Sequence, residues 1–112
     1  MRRAAAGALF LSLLTSLGSG ASPDDRHAAA RTYAVTIEGV QFHPGTLTVH
    51  RGDRIVWTNK DPFPHTVTAD ARGFDSHSLA PEASWTYVAN RRGEYPYACT
   101  LHPTMKGKII VQ

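Results

Sequence analysis

Four side chains in this sequence could do chemistry together. Cys99, His102 and Met105 stand three residues apart in turn, and His65 follows Pro62-Phe63-Pro64 at the head of a β-rich run. They offer one thiolate, two imidazoles and one thioether. Two His and one Cys in a trigonal arrangement, with a long axial Met, suit a copper ion that cycles between Cu(II) and Cu(I). The thiolate is soft and strongly donating, and the imidazoles suit both oxidation states. A weak thioether contact favours Cu(I) without forcing a tetragonal geometry. A site midway between the preferences of the two states needs little rearrangement when an electron moves. Zinc is the competing metal, but structural zinc sites take four strong N or S ligands, and Met105 would be a poor fourth. A Cys–His nucleophile pair is the other alternative. It shows no third orienting group and leaves the Met spacing unexplained.

These residues must be held by the elements around them. Tyr33, Val35 and Ile37 alternate with Thr32, Ala34 and Thr36, the period of a half-buried strand. Leu47 and Val49 repeat the pattern, and Arg51-Gly52-Asp53 turns the chain into a β-rich run over 54–59. Lys60 to Pro64 breaks that run, because proline lacks an N–H and fixes φ. Strand character resumes over 65–69, residues 70–81 read as loop, and a strand follows around Trp85 and Tyr87. Tyr95, Tyr97 and Cys99 share one face of the next strand, and residues 108–111 form the last. The metal-binding stretch is thus expected in a short loop between two strands, with His65 reaching it from a neighbour. Many short strands and turns, without a helical period, predict an all-β sandwich with Trp57, Trp85, Tyr95 and Tyr97 in its core.

The 112 residues suffice for one domain. A single Cys excludes an internal disulfide. Arg2 and Arg3, the apolar stretch 4–17 and the small residues Ser19-Gly20-Ala21 have the layout of a secretory signal peptide. The apolar part falls short of the roughly 18 residues of a membrane span. The expected division is a signal peptide over 1–21, a flexible arm over 22–31 and the domain over 32–112. The formal charge of +3 rests on 12 Lys+Arg against 9 Asp+Glu. Loss of Arg2 and Arg3 leaves 10 against 9, or +1. With no basic tract, nucleic acid is a poor partner.

The flanking residues carry a resemblance. Gly52-Asp53-Arg54-Ile55-Val56-Trp57-Thr58-Asn59-Lys60-Asp61, Pro64-His65-Thr66-Val67, Phe74-Asp75-Ser76, Gly93-Glu94-Tyr95-Pro96-Tyr97-Ala98-Cys99 and His102-Pro103-Thr104-Met105-Lys106-Gly107 resemble the cupredoxins of the amicyanin, pseudoazurin and plastocyanin group. The match spans about 33–112, and the short Cys-x-x-His-x-x-Met loop looks most like amicyanin. The resemblance implies a Greek-key β-sandwich holding one type 1 copper ion. His65, Cys99 and His102 would be the strong ligands and Met105 the weak axial one. His102 would be the electron port, inside a flat rim that includes Pro64 and Pro103. The implied protein is a monomeric periplasmic electron carrier and not an enzyme. Its partners would be redox proteins such as a c-type cytochrome or a periplasmic dehydrogenase. A copper-delivery protein using the same ligands is the alternative. One departure stands out: Thr66 follows the first His, where many members have an Asn that ties the two ligand segments together. His77 also stands where a small residue is common.

Overall fold

A computed structural model describes residues 29–71 and 73–112, with Gly7 alone before them. The expected signal peptide and most of the arm lie outside the described residues. The described domain contains eight strands: β1 (Thr32–Ile37), β2 (Phe42–His43), β3 (Thr46–Val49), β4 (Arg54–Asn59), β5 (Thr68–Ala69), β6 (Ser84–Val88), β7 (Gly93–Cys99) and β8 (His102–Val111). They form two four-stranded sheets, ordered β2-β1-β4-β6 and β3-β8-β7-β5. Two pairings, β1 with β4 and β3 with β8, are parallel, so the chain crosses between layers as a Greek-key sandwich does.

The core is where the inward faces of the two sheets meet. Val35, Ile37, Val49, Ile55, Trp57, Tyr97, Cys99 and Ile109 are each at most 1% exposed. Trp57 on β4 donates its indole N–H to the Tyr97 hydroxyl on β7 at 3.2 Å, which joins the two layers by a buried polar bond. Burial pushes the Tyr97 phenol up to about 12, against a smaller opposite effect of the Trp57 bond. Phe42 meets the Tyr97 ring edge-on at 4.6 Å, and Phe74 packs between Trp57 and Tyr87. Trp85 and Tyr95 only flank this cluster, half-buried, where the alternation had placed them in the core.

The structure differs from the sequence reading along the metal-binding stretch. Residues 102–107 belong to β8 and are not an open loop. Cys99 and His102 face each other across a tight turn formed by Thr100 and Leu101, with a register shift between Ala98 and Cys99. Pro103 fits within this strand because β3 joins β8 only from Lys108 onward. The first half of β8 is therefore an edge on that side, where a missing N–H is tolerated. The expected strand over 65–69 shrinks to Thr68–Ala69, and His65 makes only an isolated bridge to Leu79. The two-residue β2 was not foreseen; such a short edge strand leaves no period to read.

At the opposite end, the buried Asp53 carboxylate accepts the N–H groups of Arg31 and His50 at 2.9 and 2.8 Å. The Arg31 bond is the main cause that lowers the Asp53 pKa, against a smaller effect of burial. This ties Arg31, just before β1, to the β3–β4 turn.

Gly107 is a steric requirement of the core. It lies opposite Tyr97 across the β7–β8 ladder, and a Cβ there would come within 2.3 Å of the Tyr97 ring. Gly107→Ala should therefore cost about 1–3 kcal/mol through overpacking, read as a lower denaturation midpoint. An unchanged midpoint would show that Tyr97 can move aside at little cost.

Candidate metal centre

His65, Cys99 and His102 converge at one end of the sandwich. Their donor atoms all lie within 4.8 Å of one another. The Nδ1 atoms of His65 and His102 stand 3.7 and 3.8 Å from the Cys99 Sγ. The hairpin explains two of the three donors, since the Cys-x-x-His spacing places Cys99 and His102 opposite each other on adjacent strands. The third comes from the segment between β4 and β5. His65 and Cys99 are fully buried, whereas His102 is half-exposed. Met105 lies three residues along β8, buried in the core.

The His65 ring is fixed from behind. Its Nε2 lies 2.7 Å from the Asp61 carboxylate. The same carboxylate accepts the N–H groups of Gly39 and Val40 at 2.7 and 2.9 Å. Burial raises the Asp61 pKa, but the bonds from Val40, His65 and Gly39 outweigh it and the net direction is down. The carboxylate therefore stays ionised and can only accept. Nε2 must carry a proton, and Nδ1 is the ring nitrogen turned towards Cys99. A carboxylate behind a metal-binding imidazole fixes the ring's tautomer and raises its basicity. Sequence reasoning missed Asp61. Its place four residues before His65, in a Pro-rich turn, was the available signal.

Thr66 does tie the two segments. Its N–H donates to the Cys99 Sγ at 3.2 Å, and its hydroxyl oxygen accepts the Thr100 N–H at 2.9 Å. A hydroxyl thus does here what a longer amide would do. His77 lies apart from the three donors in the contacts it makes. It adopts a positive φ of 57° in an exposed turn, where its N–H donates to Asp75 at 2.8 Å. His43 and His50 likewise lie outside the cluster of potential metal donors.

The Cupredoxin-like domain family matches residues 5–111. The chain belongs to this family. Among curated relatives, this cupredoxin is 31% identical to amicyanin-alpha of Methylorubrum extorquens, over 97% of this chain and 95% of that one. It is 39% identical to a chloroplastic plastocyanin of Tetradesmus obliquus, over 63% of this chain and 58% of the relative's length. A solved structure of the Cu(I) form of an amicyanin variant superposes with a TM-score of 0.69 at 28% identity, covering 77% of this chain and 87% of that one. A Cu-containing nitrite reductase from Thermus scotoductus also matches, with a TM-score of 0.68 at 28% identity. That match covers 72% of this chain but only 22% of the reductase. The donor chemistry of the cupredoxin agrees with its family: one buried thiol and two imidazole Nδ1 atoms facing it suit a single type 1 copper ion.

Asp61→Asn offers one acceptor oxygen where three N–H groups now point, and it sets an NH2 group against one of them. The variant should lose about 2–3 kcal/mol of stability. Its copper affinity should fall about 10–100-fold, because a neutral amide accepting from His65 Nε2 raises the ring's basicity less than a carboxylate does. Chelator competition and denaturant titration measure the two effects. Unchanged copper affinity would show that the carboxylate does not act on the site.

Proposed function

We propose that this protein is a periplasmic electron carrier that shuttles one electron by Cu(II)/Cu(I) cycling. His65, Cys99 and His102 are the three strong ligands in this reading, and Met105 is the weak axial one. The observation that carries it is the convergence of the two Nδ1 atoms on Cys99 Sγ, at 3.7 and 3.8 Å, beneath a half-exposed His102. When bound, copper supplies the one-electron couple. The chain's own residues hold the donors, exclude water from two of them and leave one ring edge within reach of a partner.

The surface around that edge supports docking. Phe63 packs against the rings of His65 and His102 at 5.2 and 5.7 Å and is itself 38% exposed. Leu101, in the hairpin turn, is 54% exposed, and Pro64 and Pro103 are exposed beside the two imidazoles. An apolar rim can seat a redox protein closely without a fixed charge pattern, and a c-type cytochrome or a periplasmic dehydrogenase fits this description. The amicyanin resemblance and the signal-like 1–21 segment support the periplasmic assignment. In this proposal the protein acts as a monomer. A carrier role, not enzymatic turnover, is supported by the amicyanin and plastocyanin relatives. Copper delivery is the alternative reading. A carrier retains its metal in both oxidation states, whereas a delivery protein yields it to an acceptor.

The test is spectroscopic. The purified protein loaded with Cu(II) should show an intense blue thiolate-to-copper band and a narrow hyperfine splitting. Both should vanish on reduction, return on reoxidation with copper retained, and be absent from Cys99→Ser. A pale spectrum indifferent to Cys99→Ser would overturn the reading. Release of Cu(I) to a mild acceptor would favour delivery.

A further inference from the structure

The Thr66 hydroxyl belongs to a longer chain of hydrogen bonds. Thr66 Oγ1 lies 3.0 Å from Thr68 Oγ1 and 3.1 Å from Thr100 Oγ1, besides accepting the Thr100 N–H at 2.9 Å. Thr68 Oγ1 in turn lies 3.1 Å from Asp75 Oδ1. Thr68 and Asp75 also face each other in an isolated β-bridge.

Donor counting fixes the direction of every bond. A hydroxyl has one proton and two lone pairs, and an ionised carboxylate has no proton to give. The Asp75 carboxyl lies below its usual range, chiefly because the His77 N–H bonds to it, so it is ionised at neutral pH. Thr68 must therefore donate to Asp75. Having spent its proton there, Thr68 can only accept from Thr66. Thr66 has then spent its own proton and can only accept from the Thr100 hydroxyl and N–H. Its two lone pairs are both filled by residue 100, next to Cys99. The order is Thr100 to Thr66 to Thr68 to Asp75, with no hydroxyl left free to turn.

We propose that Asp75, an exposed loop residue, anchors this hydroxyl chain and so clamps the Cys99 turn onto the His65 segment, which makes it a positioning residue for the metal centre. The proposal rests on reading Cys99 and His65 as ligands. Without the carboxylate, nothing compels Thr68 to point outward. The hydroxyls can reverse, and Thr66 is no longer obliged to present both lone pairs to residue 100. Chains of this kind also polarise one another, so the terminal acceptor strengthens the bonds behind it.

The experiment is amide hydrogen exchange in the metal-free protein, comparing Thr100 with Ile109, which lies on β8 between β3 and β7. Asp75→Ala and Thr68→Val should each speed Thr100 exchange about tenfold, the loss expected from one ordinary hydrogen bond, while leaving Ile109 unchanged. Thr68→Ser, which keeps the hydroxyl, should restore protection. In the Cu(II) form the first two variants should shift the thiolate band and the hyperfine splitting, and Thr68→Ser should not. Thr100 exchange that is unchanged in Asp75→Ala, or that accelerates only in step with Ile109, overturns the proposal. If the wild-type protein gives no blue copper spectrum, the electron-carrier reading fails, and the exchange pattern still decides the clamp.

Discussion

A carboxylate taken out of water must be fully hydrogen-bonded or lose its charge. Asp61 meets that constraint by collecting three N–H groups from two separate segments, the turn after β1 and the His65 ring. The metal end depends on this arrangement. It holds the β1–β2 turn, with Gly39 and Val40 at positive φ, against the segment that leads to His65. It also decides which imidazole nitrogen faces Cys99. One acidic residue thus links a backbone turn, a ring tautomer and the donor geometry.

The other two donors are set by different means. Cys99 and His102 need only the register of a tight hairpin, and that register is held by the sandwich behind it. Tyr97, two residues before Cys99, is fixed by the Trp57 bond and by the space left at Gly107. The sheet core therefore reaches to within two residues of the thiol. Thr66 closes the gap between the two donor sources, with its N–H on Cys99 Sγ and its hydroxyl on residue 100. The protein's own hydrogen bonds thus bear on each donor segment, and such support of the donors is what fast one-electron exchange asks of a site.

Much of this was legible in the residues. The period-two runs over 32–37 and 54–59 returned as β1 and β4, and the Cys-x-x-His spacing joins two side chains that the structure brings close together. What stayed hidden has physical reasons. The strand through Pro103 was unreadable because an edge position tolerates proline, and edge status depends on how far β3 extends. β2 is two residues long and exists only through its partner. Asp61 stands four residues before His65, but its two backbone partners lie about twenty residues away in sequence, so its hold on that ring forms only with the fold. The reach of Thr66 could not be judged from its length alone. Backbone approach at Thr100, not side-chain length, decides whether the bond forms.

The central claim is that hydrogen bonds to Asp61 and Thr66 hold the donors in place independently of the metal. Crystal structures of the metal-free, Cu(II) and Cu(I) forms test it most directly. The account predicts that the His65 ring and the Cys99 side chain superpose in all three to within a few tenths of an ångström, with His65 Nε2 on Asp61 throughout. A metal-free structure in which His65 turns away from Asp61, or in which the Cys99 turn leaves Thr66, would contradict it.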